Sequence, residues 1–190
     1  MRHTDRHPFE VPLATLVEGA NDVSLEATAE ELGIGAEEAR IEGPVRLEAT
    51  FFRSDQNVEI QGILVFTLLQ ECVRCLAPVE KRIESAFRLY CEKKGERDRR
   101  SESEIAEDEG LLYHDGRVLK LAEEVRESVL LEVPWHPLCR PDCQGLCPRC
   151  GMNRNEGECG CPPVRPHGPW ADLLEKAEGR PPQDDTTEKE

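Results

Sequence analysis

Four closely spaced cysteine pairs constrain this chain more than any other feature. Six of its nine cysteines fall within Pro137 to Pro162, PLCRPDCQGLCPRCGMNRNEGECGCP, and an earlier pair stands at Cys72-Val73-Arg74-Cys75. The pairs are Cys72/Cys75, Cys139/Cys143, Cys147/Cys150 and Cys159/Cys161. Two thiols separated by one to three residues in a tight turn supply adjacent corners of a tetrahedron. Four such corners satisfy a zinc ion at a Zn–S distance of about 2.3 Å. Eight thiols suffice for two such sites. The short Gly/Asn-rich loop Gly151 to Glu158 lets Cys147/Cys150 and Cys159/Cys161 close one site locally. Cys139/Cys143 is then left to meet Cys72/Cys75, tying the early sheet to the C-terminal module. One site with the remaining thiols free, and no metal at all, are the alternatives. Four thiolates also hold iron–sulfur clusters, so iron stands beside zinc as a candidate. The ninth residue, Cys91, stands alone on a strand-like stretch and reads as a packed core thiol.

The cysteines are read in a reducing compartment. No run of the 190 residues approaches the length of a membrane span, and MRHTDRHPFEVP lacks the apolar stretch of a signal peptide. The expected location is the cytoplasm, with no membrane partner. Clustered thiols there mean metal or redox chemistry more often than disulfides, and an odd cysteine count argues the same way. Hydrophobic residues make up 38% and aromatics 5% of the chain, enough for a modest core that a metal site would supplement.

The pattern along the chain predicts an α+β fold: an antiparallel β meander, as a partly open barrel-like sheet, with one main helix and a C-terminal Cys-rich zinc-binding module. Residues 1–91 form the sheet domain with the CxxC turn, and 92–110 a charged linker. Residues 111–134 make a strand, turn and helix packing on the sheet. Residues 135–178 form the zinc module with a short closing helix, and 179–190 a disordered tail. Phe9 to Leu16, broken by Pro12, suits an edge strand. Gly19 to Asp22 reads as a turn before an extended Val23 to Glu26, and Thr28 to Leu32 as one helical turn stopped by Gly33. From Pro44, Val45, Leu47, Ala49 and Phe51 alternate with Arg46, Glu48, Thr50 and Phe52. After a polar turn at Arg53 to Asn57 comes Val58 to Gln70. Its centre, Ile63 to Leu69, is apolar on both sides, as in a strand covered on both faces. Val79, Ile83, Phe87 and Leu89 then face inward on a third strand, with Lys81 as an exception on that face. Leu119 to Val133 has helical spacing, with Pro134 as its stop.

No catalytic signature accompanies this pattern. The histidines are scattered, and G-x-S-x-G, Walker A and H-E-x-x-H motifs are absent, so neither a catalytic residue nor a small-molecule substrate is expected. The thioredoxin-like spacing of Cys72/Cys75 lies between two strands, not at a helix N-terminus where the dipole would activate a thiol. The formal net charge of −15 disfavours a phosphate-binding surface and favours basic partners. Arg74, Arg140, Arg149 and Arg154 sit in or beside the cysteine turns. They either compensate thiolate charge or contact a phosphate backbone or acidic partner.

These motifs resemble the YceD/DUF177 family of bacteria and plastids, described as large-ribosomal-RNA-subunit accumulation proteins. The resemblance runs through Glu71-Cys72-Val73-Arg74-Cys75-Leu76-Ala77-Pro78 and the helix end ESVLLEVP from Glu127 to Pro134. It continues through Cys143-Gln144-Gly145-Leu146-Cys147-Pro148-Arg149-Cys150-Gly151, Cys159-Gly160-Cys161 and Trp170-Ala171-Asp172-Leu173-Leu174. Asn153-Arg154-Asn155 departs from an expected Asn-Leu-Asn by adding a positive charge. The resemblance implies a non-enzymatic role in 23S rRNA accumulation and large-subunit assembly. Its partners would be the pre-large ribosomal subunit, its basic ribosomal proteins and 23S rRNA. A zinc-ribbon adaptor binding proteins outside the ribosome is the alternative.

Overall fold

The computed structural model describes residues 7–93 and 111–162, together with residue 173. The chain divides into two compact units, Met1–Pro141 and Asp142–Glu190. The first is built on a sheet of five strands: β2 (Gly19–Ala27), β3 (Ile41–Ser54), β4 (Asn57–Glu71), β5 (Pro78–Lys93) and β6 (Leu111–His114). They lie side by side in that order, antiparallel from β2 to β5, with β6 parallel to β5. A second, two-stranded sheet pairs β1 (Glu10–Pro12) with β7 (Val118–Lys120). The helix α1 covers Ala122–Leu131.

Side-chain alternation selects the face that is buried. Val45, Leu47 and Phe51 of β3, Val58, Ile60, Leu64 and Leu68 of β4, and Cys91 of β5 are fully enclosed. They share one core with Phe9 of the leading segment, Leu119 of β7, Leu121 at the junction, and Val125 and Val129 of α1. Each fully buried aliphatic or aromatic side chain contributes on the order of 1.5–3 kcal/mol. That burial, not helix propensity, stabilises a helix as short as α1. Arg126 fastens its outer side through an ion pair to Glu38 at 2.7 Å.

Several expectations need correcting. The meander β3–β5 is extended on one side by β6 and on the other by β2, and β2 takes in Gly19 to Asp22, which are strand and not a turn. Asn21 compensates for its turn-like character by bonding the backbone of Val17, Gly19 and Phe51 through its side chain. The centre of β4 is not covered twice: Ile63 is 50% and Leu69 37% exposed, while Leu64, Phe66 and Leu68 are enclosed. The helix starts at Ala122, not Leu119, because Val118–Lys120 is drawn into register with Glu10–Pro12. Leu13 N–H donates to the Arg117 carbonyl and Leu121 N–H to the Phe9 carbonyl, extending that ladder at both ends. Thr28 to Leu32 forms turns without a helix, closed by Gly33 at φ +69°. Lys81 pairs with Leu68 in register yet is exposed. β5 runs on to Lys93, and the rest of the charged linker lies outside the described residues. So do the tail and the closing helix, except Leu173, which is helical and exposed. No helix among the described residues is long and apolar enough to cross a membrane.

Two features of the core yield predictions. Gly62 interrupts the inward row of β4, where it pairs with Ala49 and Phe87. A methyl group there would collide with the Glu48 carbonyl and Ala49 Cβ, which the flanking strand holds rigidly. Gly62→Ala is expected to cost about 1–3 kcal/mol in denaturant melts, as overpacking does. The second feature is Glu124 on α1, whose Oε2 is buried without a hydrogen-bond partner among the described residues. Burial holds its carboxyl above the usual range, and Glu127 and Glu123 add to this against a backbone hydrogen bond. The folded protein therefore keeps this proton more tightly than the unfolded chain. The resulting stability is complete below the unfolded pKa and is lost as pH rises through the folded one. Glu124→Gln should match the wild type in thermal melts near about pH 4 and exceed it increasingly towards about pH 8.

Candidate metal centre

The long β4–β5 hairpin carries the first cysteine pair at its tip. Pairing runs without a break from Val58↔Cys91 to Glu71↔Pro78, so the strands end together and the chain must reverse over Cys72 to Ala77. Cys72 N–H donates to the Ala77 carbonyl, and Leu76 N–H to the Cys72 carbonyl. Leu76 adopts a left-handed conformation, φ +60°, which closes the turn and is uncommon for a residue with a branched side chain. The segment after α1 returns to this turn. Gln70 donates its side-chain amide to the Pro134 carbonyl at 3.4 Å, and Val73 N–H donates to the Pro137 carbonyl at 2.9 Å. Cys139 is thereby delivered to the hairpin, with its Sγ 3.6 Å from that of Cys75.

Cys72, Cys75, Cys139 and Cys143 have all four Sγ atoms within 4.8 Å of one another. Cys147, Cys150, Cys159 and Cys161 form a second such group, also within 4.8 Å. These are the two pairings that the spacings suggested. All nine cysteines are free thiols. The 3.6 Å between Cys75 and Cys139 is far beyond a disulfide bond of about 2.05 Å. It is close to the roughly 3.8 Å that separates sulfurs at the corners of a tetrahedron with 2.3 Å metal–sulfur bonds. The donor set thus fits a tetrahedral thiophilic cation, and either group could hold a metal ion. Cys72, Cys75 and Cys143 are buried and Cys139 exposed; in the second group Cys147 is buried, Cys150 exposed and the other two intermediate.

The backbone prepares the sulfurs for negative charge. Burial opposes ionisation of Cys72, but the N–H groups of Cys139, Cys75 and Arg74, with the Cys75 thiol, bring its pKa down to about 6. Cys147 is likewise lowered to about 6, by the N–H groups of Cys150 and Arg149 and by the Cys159 thiol. Cys161 is pushed up to about 12 by its hydrogen bond to Cys150, by burial, and by the charge and thiols beside it. Each group therefore gives up a first proton readily, while in the second group Cys161 keeps its own. A dication supplies the charge needed to remove the rest.

Within the Asp142–Glu190 unit, a small knuckle shapes the ligand loop. Gly151 N–H donates to the Cys147 carbonyl and Cys147 N–H to the Met152 carbonyl, while Leu146 and Asn153 form a β-bridge. Gly151 takes the left-handed conformation, φ +73°, that the turn requires. The asparagines of Asn153-Arg154-Asn155 have separate tasks. Asn155 donates its amide to the Cys143 sulfur at 3.3 Å and accepts the Gln144 N–H at its Oδ1, and Asn153 Oδ1 receives both donors of Asn155. Sequence reasoning passed over Asn155 as a sulfur donor. Its only signal was recurrence of Asn two positions after Asn153, beside a ligand turn.

The other candidate residues are not among the eight sulfur ligands. Arg74, Arg140, Arg149 and Arg154 are all exposed, on the turns where the sequence places them. His136, a conceivable substitute ligand, is exposed and belongs to neither group. Cys91 is fully buried on β5, and burial with the Glu124 carboxylate pushes its thiol up to about 12, so it is an inert packed residue.

Comparison with known proteins follows the cysteines. The family described as "Large ribosomal RNA subunit accumulation protein YceD" matches residues 60–175, a stretch that includes all eight clustered thiols. Uncharacterized proteins of Mycobacterium bovis and Mycobacterium tuberculosis are each 36% identical over 98 residues, 51% of this chain and 45% of theirs. An uncharacterized protein of Mycobacterium leprae is 28% identical over 137 residues, 69% of this chain and 60% of its own. The matched stretches thus span about half of these curated relatives' length. No solved structure matches the chain. With more than half its length matched by the family and both thiol groups inside the match, the chain belongs to the YceD family.

Proposed function

We propose that this protein is a cytoplasmic, non-enzymatic assembly factor of the large ribosomal subunit, supporting 23S rRNA accumulation, with zinc in its two thiol groups. The observation that carries this reading is the family match over residues 60–175 together with the two four-thiol groups inside it. Zinc is favoured among thiophilic cations because it takes four thiolates tetrahedrally and needs no redox partner. Its part is structural. When bound, it neutralises thiolates and fixes the turns that carry them. The chain's own contribution is a rigid surface with exposed Arg74 and Arg140, and a separate knuckle with exposed Arg149 and Arg154. A net charge of −15 directs the rest of the surface towards basic ribosomal proteins as much as towards RNA.

Elemental analysis of freshly purified protein should find about two zinc per chain, falling to about one in Cys72→Ser and in Cys147→Ser. Metal-free protein, or a visible charge-transfer spectrum of iron, would overturn the zinc assignment. In cells, the protein should sediment with large-subunit precursors at low salt, and its depletion should lower 23S rRNA more than 16S rRNA. Equal loss of both rRNAs, or no ribosomal association at any salt, would sink the assembly role and leave the adaptor reading.

A further inference from the structure

The outer face of the β2–β5 sheet is unusual in both polarity and charge. The apolar run in β4 reads as that of a strand with two covers, yet among the described residues only one face is covered. On the other, Phe52 is 43%, Ile63 50% and Tyr90 41% exposed. The register makes these residues neighbours. Phe52 lies across from Glu59, and Glu59 from Tyr90; Glu48 lies across from Ile63, and Ile63 from Ala86. Apolar groups and carboxylates thus alternate across three adjacent strands.

The charges on this face are unbalanced. Arg46 is already paired with Glu26 at 3.2 Å and Arg82 with Glu84 at 3.0 Å. Among the described residues neither Glu48 nor Glu59 makes an ion pair, and Glu59 accepts only the Gln61 amide. Arg88, across from Gln61, is the one further guanidinium that the register places on these rows. Between β2, β3 and β4 the surface sinks into a shallow depression of about 500 Å³, whose lining includes Asp22, Ser24, Glu48, Gln61 and Ile63. Phosphates would meet carboxylates here, which disfavours RNA. A lysine or arginine suits both components: its aliphatic stem covers Ile63, Phe52 or Tyr90, and its charged head reaches Glu48 or Glu59.

We infer that the outer face of the β2–β5 sheet is a docking surface for a lysine- and arginine-rich segment of a partner protein. The surface is centred on Glu48, Glu59, Ile63, Phe52 and Tyr90. This deepens the assembly reading and rests on it for the partner's source, a basic protein of the large subunit. Such segments carry charge all along their length, so alternating carboxylates and apolar stems give both attraction and register.

The test uses the full chain and two probes, the proteins of the large subunit stripped of rRNA, and 23S rRNA alone. Zero-length carbodiimide coupling, which joins carboxylates to lysine amines, should link Glu48 and Glu59 to ribosomal-protein lysines. The double variant Glu48→Lys/Glu59→Lys should bind the protein probe at least about tenfold more weakly, as like-charge opposition demands. Glu48→Gln/Glu59→Gln should fall between and show a shallower salt dependence. Circular dichroism and zinc content matching the wild type establish that both variants fold. Unchanged binding by the folded charge-reversed variant, cross-links confined to other faces, self-association through this face, or competition for it by 23S rRNA would each overturn the inference. If wild-type protein sediments with large-subunit precursors and the charge-reversed variant does so equally, the docking face is wrong and the assembly role stands. If the wild type fails to sediment, the assembly role itself is wrong.

Discussion

The register between β4 and β5 is the constraint on which the Met1–Pro141 unit depends. Side chains in a strand alternate with a period of two, so a slip of one residue would exchange the buried and exposed rows. Leu64, Phe66 and Leu68 would then face water, and Glu59 and Gln61 would face the core. The unbroken pairing from Val58↔Cys91 to Glu71↔Pro78 also decides where the hairpin ends, and hence where Cys72 and Cys75 sit. The same alternation that seals the core therefore sets the first pair of thiols at the tip, where Pro134 to Cys139 returns. Core packing and metal geometry are linked here through a single ladder of backbone hydrogen bonds.

That link explains why so much of the thiol arrangement was legible from spacing. Two residues between Cys72 and Cys75, and between Cys147 and Cys150, leave few conformations besides a tight turn with converging sulfurs. The alternation of Val45, Leu47, Ala49 and Phe51 was equally direct, because strand burial is written two residues at a time. What the sequence hid has physical reasons too. Gly19 to Asp22 has turn composition, and its strand character comes from pairing with Phe51, Phe52 and Arg53, not from local preference. Val118–Lys120 has residues compatible with either a helix or a strand, and only the distant Glu10–Pro12 decides between them. Asn155 reaches the Cys143 sulfur through space, which no spacing rule encodes. The reading of β4 as doubly covered failed because apolar content records that a surface avoids water, not which molecule covers it.

The two thiol groups also show different ways of preparing a cation site. Cys72 is enclosed in a turn of the hairpin and is stabilised as a thiolate by three backbone N–H groups against its own burial. In the second group the donors come from a short knuckle, and Cys150 stays exposed. Hydrogen bonds to sulfur lower the cost of its charge and also its reactivity towards electrophiles, so protection and readiness for metal come from the same N–H groups.

The separation of 64 residues between Cys75 and Cys139 has a consequence in time. Chains are synthesised from the N-terminus, and a hairpin forms far faster than 64 residues are added. The β4–β5 hairpin is thus free to zip while Cys139 has yet to be made, leaving Cys72 and Cys75 waiting as a bare dithiol. A product truncated between Cys75 and Cys139 retains that dithiol and never completes the four-sulfur group. Closure of the first thiol group therefore marks a chain whose synthesis has passed the helix α1 that precedes Cys139.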